Sequence, residues 1–373
     1  MVPVPVPITY VNMFRKLAYH NSPCQPKAQA QSKSSGVRAL TPKKRSTLAD
    51  VAEAAGVSKM TASRALRGAG DVSKASLEKV GRAAKEIGYI GNHLATSLSS
   101  QRSDLIGVVI PSLTNVVFAE VLSGIAENIR GSSLQPVFGV TDYDPDLEYD
   151  VIQKMLSWNP AGLIVTGLDQ PDETRRLLEF AGIPVVQIMD VDGAPVDACV
   201  GLSHHAAGEK MADALVGKGR RRFGYVGCGL NKDTRARKRL SGFETALLST
   251  GLNLAATQTC DGPSTVKAGR ELTAKILRDH PDLDCIYYSN DDLAVGGLFH
   301  CIANGVSVPE TLVLAGFNGL DIVESLPIKI ATSRTPRREI GRAASEIILD
   351  SLREGVATRG RRTEFSSKID LGF

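Results

Sequence analysis

Two arginines, Arg235 and Arg239, stand four residues apart, a spacing that puts both guanidinia on one helix face, where paired forks suit a carboxylate or phosphate. Lys59, Met60 and Arg64 follow a serine that opens a short helical stretch, and they offer two cations and an apolar contact on its exposed side. Catalytic constellations are missing: there is no G-x-S-x-G elbow, H-E-x-x-H pair or phosphate loop, and no Gly-rich dinucleotide fingerprint follows residues 106–110. His204 and His205 are adjacent and so do not share a helical face as metal ligands would; they read as a polar helix start. Asp291 and Asp292 suit a helix N-terminus, and the acidic run 142–150 reads as a solvated loop entering a helix. Neither a metal nor a cofactor is expected. The six cysteines are scattered with no C-x-x-C pair and are read as separate reduced thiols.

The elements around Lys59 and Arg64 are short. Thr47 caps a helix with Asp50 three residues on, Leu48, Val51, Ala52 and Ala55 form its apolar face, and Gly56 ends it. Ser58 caps a second helix, 59–66, after a two-residue turn, which predicts a helix-turn-helix corner. A third helix, about 73–87, carries Leu77, Val80, Ala84 and Ile87 on one face and stops at Gly88. In such a corner the second helix enters a major groove, with Lys59, Met60 and Arg64 toward base edges and Thr47, Thr61 and Ser63 toward phosphates.

Beyond residue 104 short β-rich runs alternate with helical stretches: 106–110, 118–130, 137–140, 148–157, 163–166, 172–181 and 183–188. The pattern repeats at 223–226, 239–249, 265–279, 285–288, 291–304 and 312–317, and 329–332, 336–353 and 364–369 complete it. This is α/β architecture, two parallel-sheet lobes joined by crossovers. Ligands in such sheets bind beyond the carboxyl ends of the strands, which directs attention to 111–118, Asp190, 233–239, 290–291 and 318–321.

Length, 373 residues with 43% hydrophobic positions, supports two or three domains with real cores, and no apolar run approaches a membrane span. A secretory signal is not expected, because Arg15 and Lys16 follow the apolar start instead of preceding it. Charge is divided unevenly: residues 1–103 hold 16 Lys/Arg against 5 Asp/Glu, and residues 104–373 hold 28 against 35. A basic front on an acidic body suggests a polyanion-binding module attached to one with no use for polyanions. Residues 1–46, Pro/Ser/Gln/Ala-rich with eight basic residues and no acidic ones, read as an inert disordered tail.

The run TLADVAEAAGVSKMTASRAL (47–66) with GYIGN (88–92) resembles the N-terminal signature of the lactose-repressor (LacI) family, and 104–370 resembles that family's periplasmic-binding-protein-like core. PSLTNVVFAEVL (111–122), MLSWN (155–159), AGIPVVQIMD (181–190) and NDDLAVG (290–296) are most similar to its gluconate-operon repressor branch. The resemblance implies a headpiece at 47–91, a hinge helix and linker at 92–103, and a two-lobed effector-binding and dimerisation core at 104–373. It implies that Asn92, His93 and Leu98 act in the hinge, Leu98 as an apolar wedge in the minor groove. Gly91 stands where the family usually has Pro, which makes the hinge costlier to order, and His93 stands where Arg is frequent.

In the core the resemblance puts Phe118 against the effector and has Asp190, Arg239 and Asn290 hydrogen-bond it. Arg235 joins by its spacing, and Asn318 stands where many relatives carry Asp. A neutral amide and two arginines point to an acidic sugar: gluconate, 6-phosphogluconate or a ketogluconate. The expectation is a cytoplasmic homodimeric repressor that binds double-stranded operator DNA. The competing expectations are a sugar sensor acting through a protein partner, and an enzyme using Asp190 or Asp291.

Overall fold

A computed structural model describes residues 45–67, 71–90 and 103–373. The chain divides into two compact units, Met1–Gly91 and Asn92–Phe373.

In the first unit, α1 (Leu48–Ala55), α2 (Lys59–Leu66) and α3 (Lys74–Glu86) form because each has its own start signal. Thr47 and Asp50 close a capping box, with the Asp50 carboxylate accepting the Thr47 N–H at 2.7 Å. Gly56 ends α1 at φ 63°, and the Ser58 hydroxyl accepts the Thr61 N–H at 3.1 Å to start α2. Val51, Ala52, Ala62, Ala65, Val80 and Ala84 make the core, and the small alanines let the three helices approach closely.

The second unit has two lobes. In the first, β1 (Leu105–Ile110), β2 (Gln135–Val140), β3 (Gly162–Thr166), β4 (Val185–Ile188), β5 (Ala198–Leu202) and β11 (Arg362–Phe365) form one parallel sheet in the order β11-β5-β4-β3-β1-β2. Helices α4 (Val116–Asn128), α5 (Pro145–Ser157), α6 (Asp172–Glu179) and α12 (Arg337–Glu354) belong to it. In the second lobe, β6 (Phe223–Cys228), β7 (Leu254–Cys260), β8 (Cys285–Tyr288) and β9 (Val313–Ala315) are parallel in the order β7-β6-β8-β9. Its helices are α7 (His204–Gly217), α8 (Thr234–Ser249), α9 (Val266–Asp279), α10 (Asp291–Asn304) and α11 (Asp321–Glu324). An antiparallel pair, β10 (Thr332–Arg334) with β12 (Lys368–Asp370), lies beside them. The chain therefore passes between the lobes after β5, before α12 and after β11, and each lobe is discontinuous.

Three helix pairs cross backbone to backbone at reciprocal glycines. A Cβ at Gly208 of α7 would strike the Arg239 carbonyl of α8, and one at Gly242 would strike that of His205; Gly124 and Gly341 join α4 to α12, and Gly269 and Gly296 join α9 to α10, in the same way. The first crossing brings His204 and Arg239 together.

Strands β5 and β7 and the short helix α11 have no counterpart in the sequence pattern, and α7 is expected only at its His204 start. Strand β5 (ACVGL) is short and wholly buried, so it shows no alternation, β7 is a polar edge strand, and α7 carries Gly208 mid-helix. The stretch 364–369, read as one segment, is split between β11 and β12, which pair in different sheets.

Candidate functional site

In the first unit, α2 presents Lys59, Met60 and Arg64 outward, with Met60 70% exposed, while Ala62 and Ala65 face the core. Arg64 pairs with Asp71, and Thr47 and Thr61 already use their hydroxyls locally, Thr47 toward Asp50 and Thr61 toward Ser58. Ser63 is half-buried, and its carbonyl accepts from the Arg67 Nε at 3.3 Å. Asn92, His93 and Leu98 lie outside the described residues, as do 1–44.

In the core, the carboxyl ends of β1–β3 face those of β6–β8 across a cleft with two adjoining compartments, about 390 Å³ and about 330 Å³, which share Pro111, Tyr143, Lys232 and Asp233. That size suits a small ligand. A larger hollow of about 560 Å³ between Ile183, Val196 and Thr358 lies at the amino ends of β4 and β5, the end of an open sheet where ligands do not gather.

Helix α8 runs inward from the cleft wall. Asp233 caps it, Arg235 lines the smaller compartment, and Arg239, one turn on, is 6% exposed. Arg235 lies 5.8 Å over the Phe118 ring and 3.7 Å from the Asp233 carboxylate. The Arg239 guanidinium stacks 4.0 Å over Phe317, donates through Nη2 to the Ser289 carbonyl at 2.8 Å and through Nη1 to His204 Nδ1 at 3.0 Å, and leaves Nε without a partner. No carboxylate lies within ion-pair reach of Arg239 among the described residues. His204 is buried and its Nε2–H donates to the Met189 carbonyl at 2.7 Å, while burial first and the Arg239 and Arg235 charges second hold its pKa well below the ordinary histidine range. Neutral His204 thus ties the end of β4 in one lobe to Arg239 in the other, a role beyond the polar helix start its neighbours suggested.

Asn290 lines the cleft as the N-cap of α10, its Oδ1 accepting the Leu293 N–H at 3.1 Å, which leaves its amide nitrogen for a ligand. Asn318 sits at φ 117°, buried, and its carbonyl accepts from Arg337, a contact at the junction of the lobes. Phe118 lies in the core beneath Arg235 instead of lining the cleft. Asp190 is fully buried with both carboxylate oxygens in use: Oδ1 accepts the Asp192 N–H at 2.8 Å and Oδ2 accepts from Lys238 at 2.6 Å. Asp190 therefore holds Lys238 and does not face the cleft.

Lys238, one of several cations in 232–239, reaches from α8 to three acceptors of the other lobe: Asp169 at 2.8 Å, Asp190, and the Asp192 carbonyl at 3.0 Å. Burial opposes its charge, and the Asp169 and Asp190 carboxylates more than offset that, raising its pKa. Lys238→Met leaves the buried Asp190 carboxylate without a cation and is expected to cost about 3 kcal/mol at neutral pH. Burial already pushes the Asp190 carboxyl up. Protonation removes the stranded charge, so the cost shrinks as pH falls; urea melts at pH 7.5 and 5 measure both, and an equal cost at the two pH values refutes the assignment.

Asp291 begins α10 as expected, but it is buried and accepts the Leu320 N–H at 2.8 Å and the Thr332 hydroxyl at 2.7 Å. Burial raises its pKa to about 6, and its partners are structural.

Comparison with known proteins matches residues 103–370 to "periplasmic binding proteins and sugar binding domain of LacI family" and residues 47–92 to "bacterial regulatory proteins, lacI family". The chain belongs to the LacI family. The HTH-type transcriptional regulator GntR of Pseudomonas aeruginosa is 39% identical over 330 residues, 88% of this chain and 94% of that one. A LacI-family transcriptional regulator from Silicibacter pomeroyi, solved by crystallography, aligns with TM-score 0.84 and 48% identity over 87% of this chain and 98% of that one. The lac repressor dimer bound to operator and an anti-inducer shares the fold at TM-score 0.76 and 23% identity, over 88% of this chain and all of that one. Headpiece and two-lobed core are thus those of a LacI-family regulator. Among the described residues no helix is long and apolar enough to cross a membrane.

Proposed function

We propose that this chain is a repressor of sugar-acid catabolic genes, binding operator DNA as a cytoplasmic homodimer and releasing it when a sugar acid enters the cleft. The observation that carries the effector class is Arg235, which lines the cleft one turn from Arg239, a buried guanidinium with no carboxylate partner among the described residues. An unpaired buried charge is costly, and a carboxylate-bearing ligand relieves it.

The opposite end of the cleft selects within that class. Asp142, Asp233, Asp261 and Asp292 outnumber Lys232 around the larger compartment. Carboxylates accept hydrogen bonds from hydroxyls and repel a phosphate, which favours gluconate or a ketogluconate over 6-phosphogluconate. Asn290 and Arg235 line the cleft and are its direct contacts in this reading, with Phe118 supporting Arg235 from below and Asn318 shaping the lobe junction. An effector that prefers one arrangement of the lobes lowers operator affinity by the same coupling free energy with which DNA lowers effector affinity.

On the DNA side, Lys59, Met60 and Arg64 read bases and Thr47, Thr61 and Ser63 face phosphates, with Asn92, His93 and Leu98 completing the contact from the hinge. Arg64 exchanges Asp71 for a base. Arg64→Ala is expected to cost about 1–3 kcal/mol of operator affinity and to relax specificity at one position. Fluorescence anisotropy on operator and scrambled duplexes at two salt concentrations measures this. Equal affinity for both duplexes would dispose of the operator-reading role.

A further inference from the structure

Cys228 and Cys260 close their strands side by side. They are register partners in the parallel pair β6–β7, their Cα atoms are 4.7 Å apart, and their sulfurs are bonded. This overturns the reading of the cysteines as separate thiols. The pair sits where the strands end and the cleft begins: Cys228 and Gly229 line the larger compartment, and Asp261, Gly262 and Ser264 follow Cys260 directly. The other described cysteines, Cys199, Cys285 and Cys301, are buried and unpaired, and burial raises all three thiols. Cys260 is only half-buried, so a small oxidant or a dithiol can reach the pair.

We propose that Cys228 and Cys260 form a reversible thiol-oxidation site that takes peroxide-class oxidants and tunes effector binding. A protein that acts on DNA inside a cell meets a pool of reductants, and a disulfide there is more often transient and regulatory than a static brace. In the oxidising step each thiol gives up one electron and one proton, the S–S bond forms, and hydrogen peroxide accepts both electrons and both protons, its O–O bond breaking to give two waters. A dithiol reverses the step by thiol–disulfide exchange. The bond joins the roots of two loops, 229–233 and 261–264, that form one wall of the cleft. Joined roots leave less freedom to lose when a ligand binds, so the oxidised form takes effector more tightly.

The test uses the full chain treated with hydrogen peroxide or with dithiothreitol. Differential alkylation and peptide mass mapping are expected to find Cys228 linked to Cys260 after peroxide and both free after dithiothreitol. Hydrogen exchange in 229–233 and 261–264 is expected to slow in the oxidised form. Gluconate is expected to release operator at a concentration about threefold or more lower when the pair is oxidised. Cys260→Ser should behave as the reduced chain under both treatments. A pair that peroxide does not close, or closure with unchanged exchange in both loops, overturns the proposal. Equal gluconate sensitivity in the two states overturns its link to effector binding. Absence of any gluconate response in either state would instead count against the sugar-acid reading, and mapping and exchange would still decide the redox site.

Discussion

Arg239→Met is expected to abolish the response to gluconate while leaving the fold intact. Loss of this buried charge behind Arg235 should weaken gluconate binding about 100-fold or more, equivalent to about 3 kcal/mol. The stability change should be much smaller. Arg239 is buried with no carboxylate partner among the described residues and its Nε is unsatisfied, but Met also leaves the His204 Nδ1 and Ser289 carbonyl acceptors without their donor. Removing the uncompensated charge offsets part of the cost of those two lost hydrogen bonds. Calorimetric titration with gluconate and a thermal melt separate the two effects, and operator affinity without gluconate should stay at the wild-type level. A melt that collapses would show that Arg239 braces the fold. An unchanged titration would remove it from the effector site.

Gly208→Ala is expected to be among the most damaging single-methyl changes in the second lobe. The added Cβ collides with the Arg239 carbonyl, backbone that has no rotamer to yield, so α7 and α8 must separate at the crossing that also brings His204 to Arg239. Overpacking of this kind costs about 3 kcal/mol. Gly242→Ala meets the His205 carbonyl and should cost as much. Gly217→Ala in the same helix meets nothing within 4 Å, and there the better helix propensity of alanine should make the change neutral or stabilising by up to about 1 kcal/mol. Urea unfolding of the three variants checks this. Gly208→Ala and Gly217→Ala of equal stability would mean that the helices do not cross as described.

The headpiece was legible because its signals are local. Thr47, Gly56, Ser58 and Ser73 announce helix ends within a few residues of where they occur, and each appears as expected. The lobes were legible as an alternation, but β5 and β7 were not: a five-residue buried strand of small side chains and a polar edge strand lack the periods that sequence reading depends on. In the core, the family resemblance pointed to Arg239, and one-turn spacing from it located Arg235, which lines the cleft. What escaped were pairings across distance. Lys238 finds Asp190 48 residues away and in the other lobe, so nothing near it marks it as more than one cation among several. Cys228 and Cys260 are 32 residues apart and become neighbours only through strand register. The single local feature the two share is a Gly- or Asp-containing turn immediately after each.

The most direct test of the central claim is an anisotropy titration of operator-bound wild-type protein with gluconate, run beside 6-phosphogluconate and glucose. Release by gluconate at concentrations at least about tenfold below those needed for the other two is the result expected from Arg235 in one compartment of the cleft, with Arg239 buried behind it, and an acidic rim around the other. Release by glucose as readily as by gluconate would contradict it, because the arginines would then have no anion to hold.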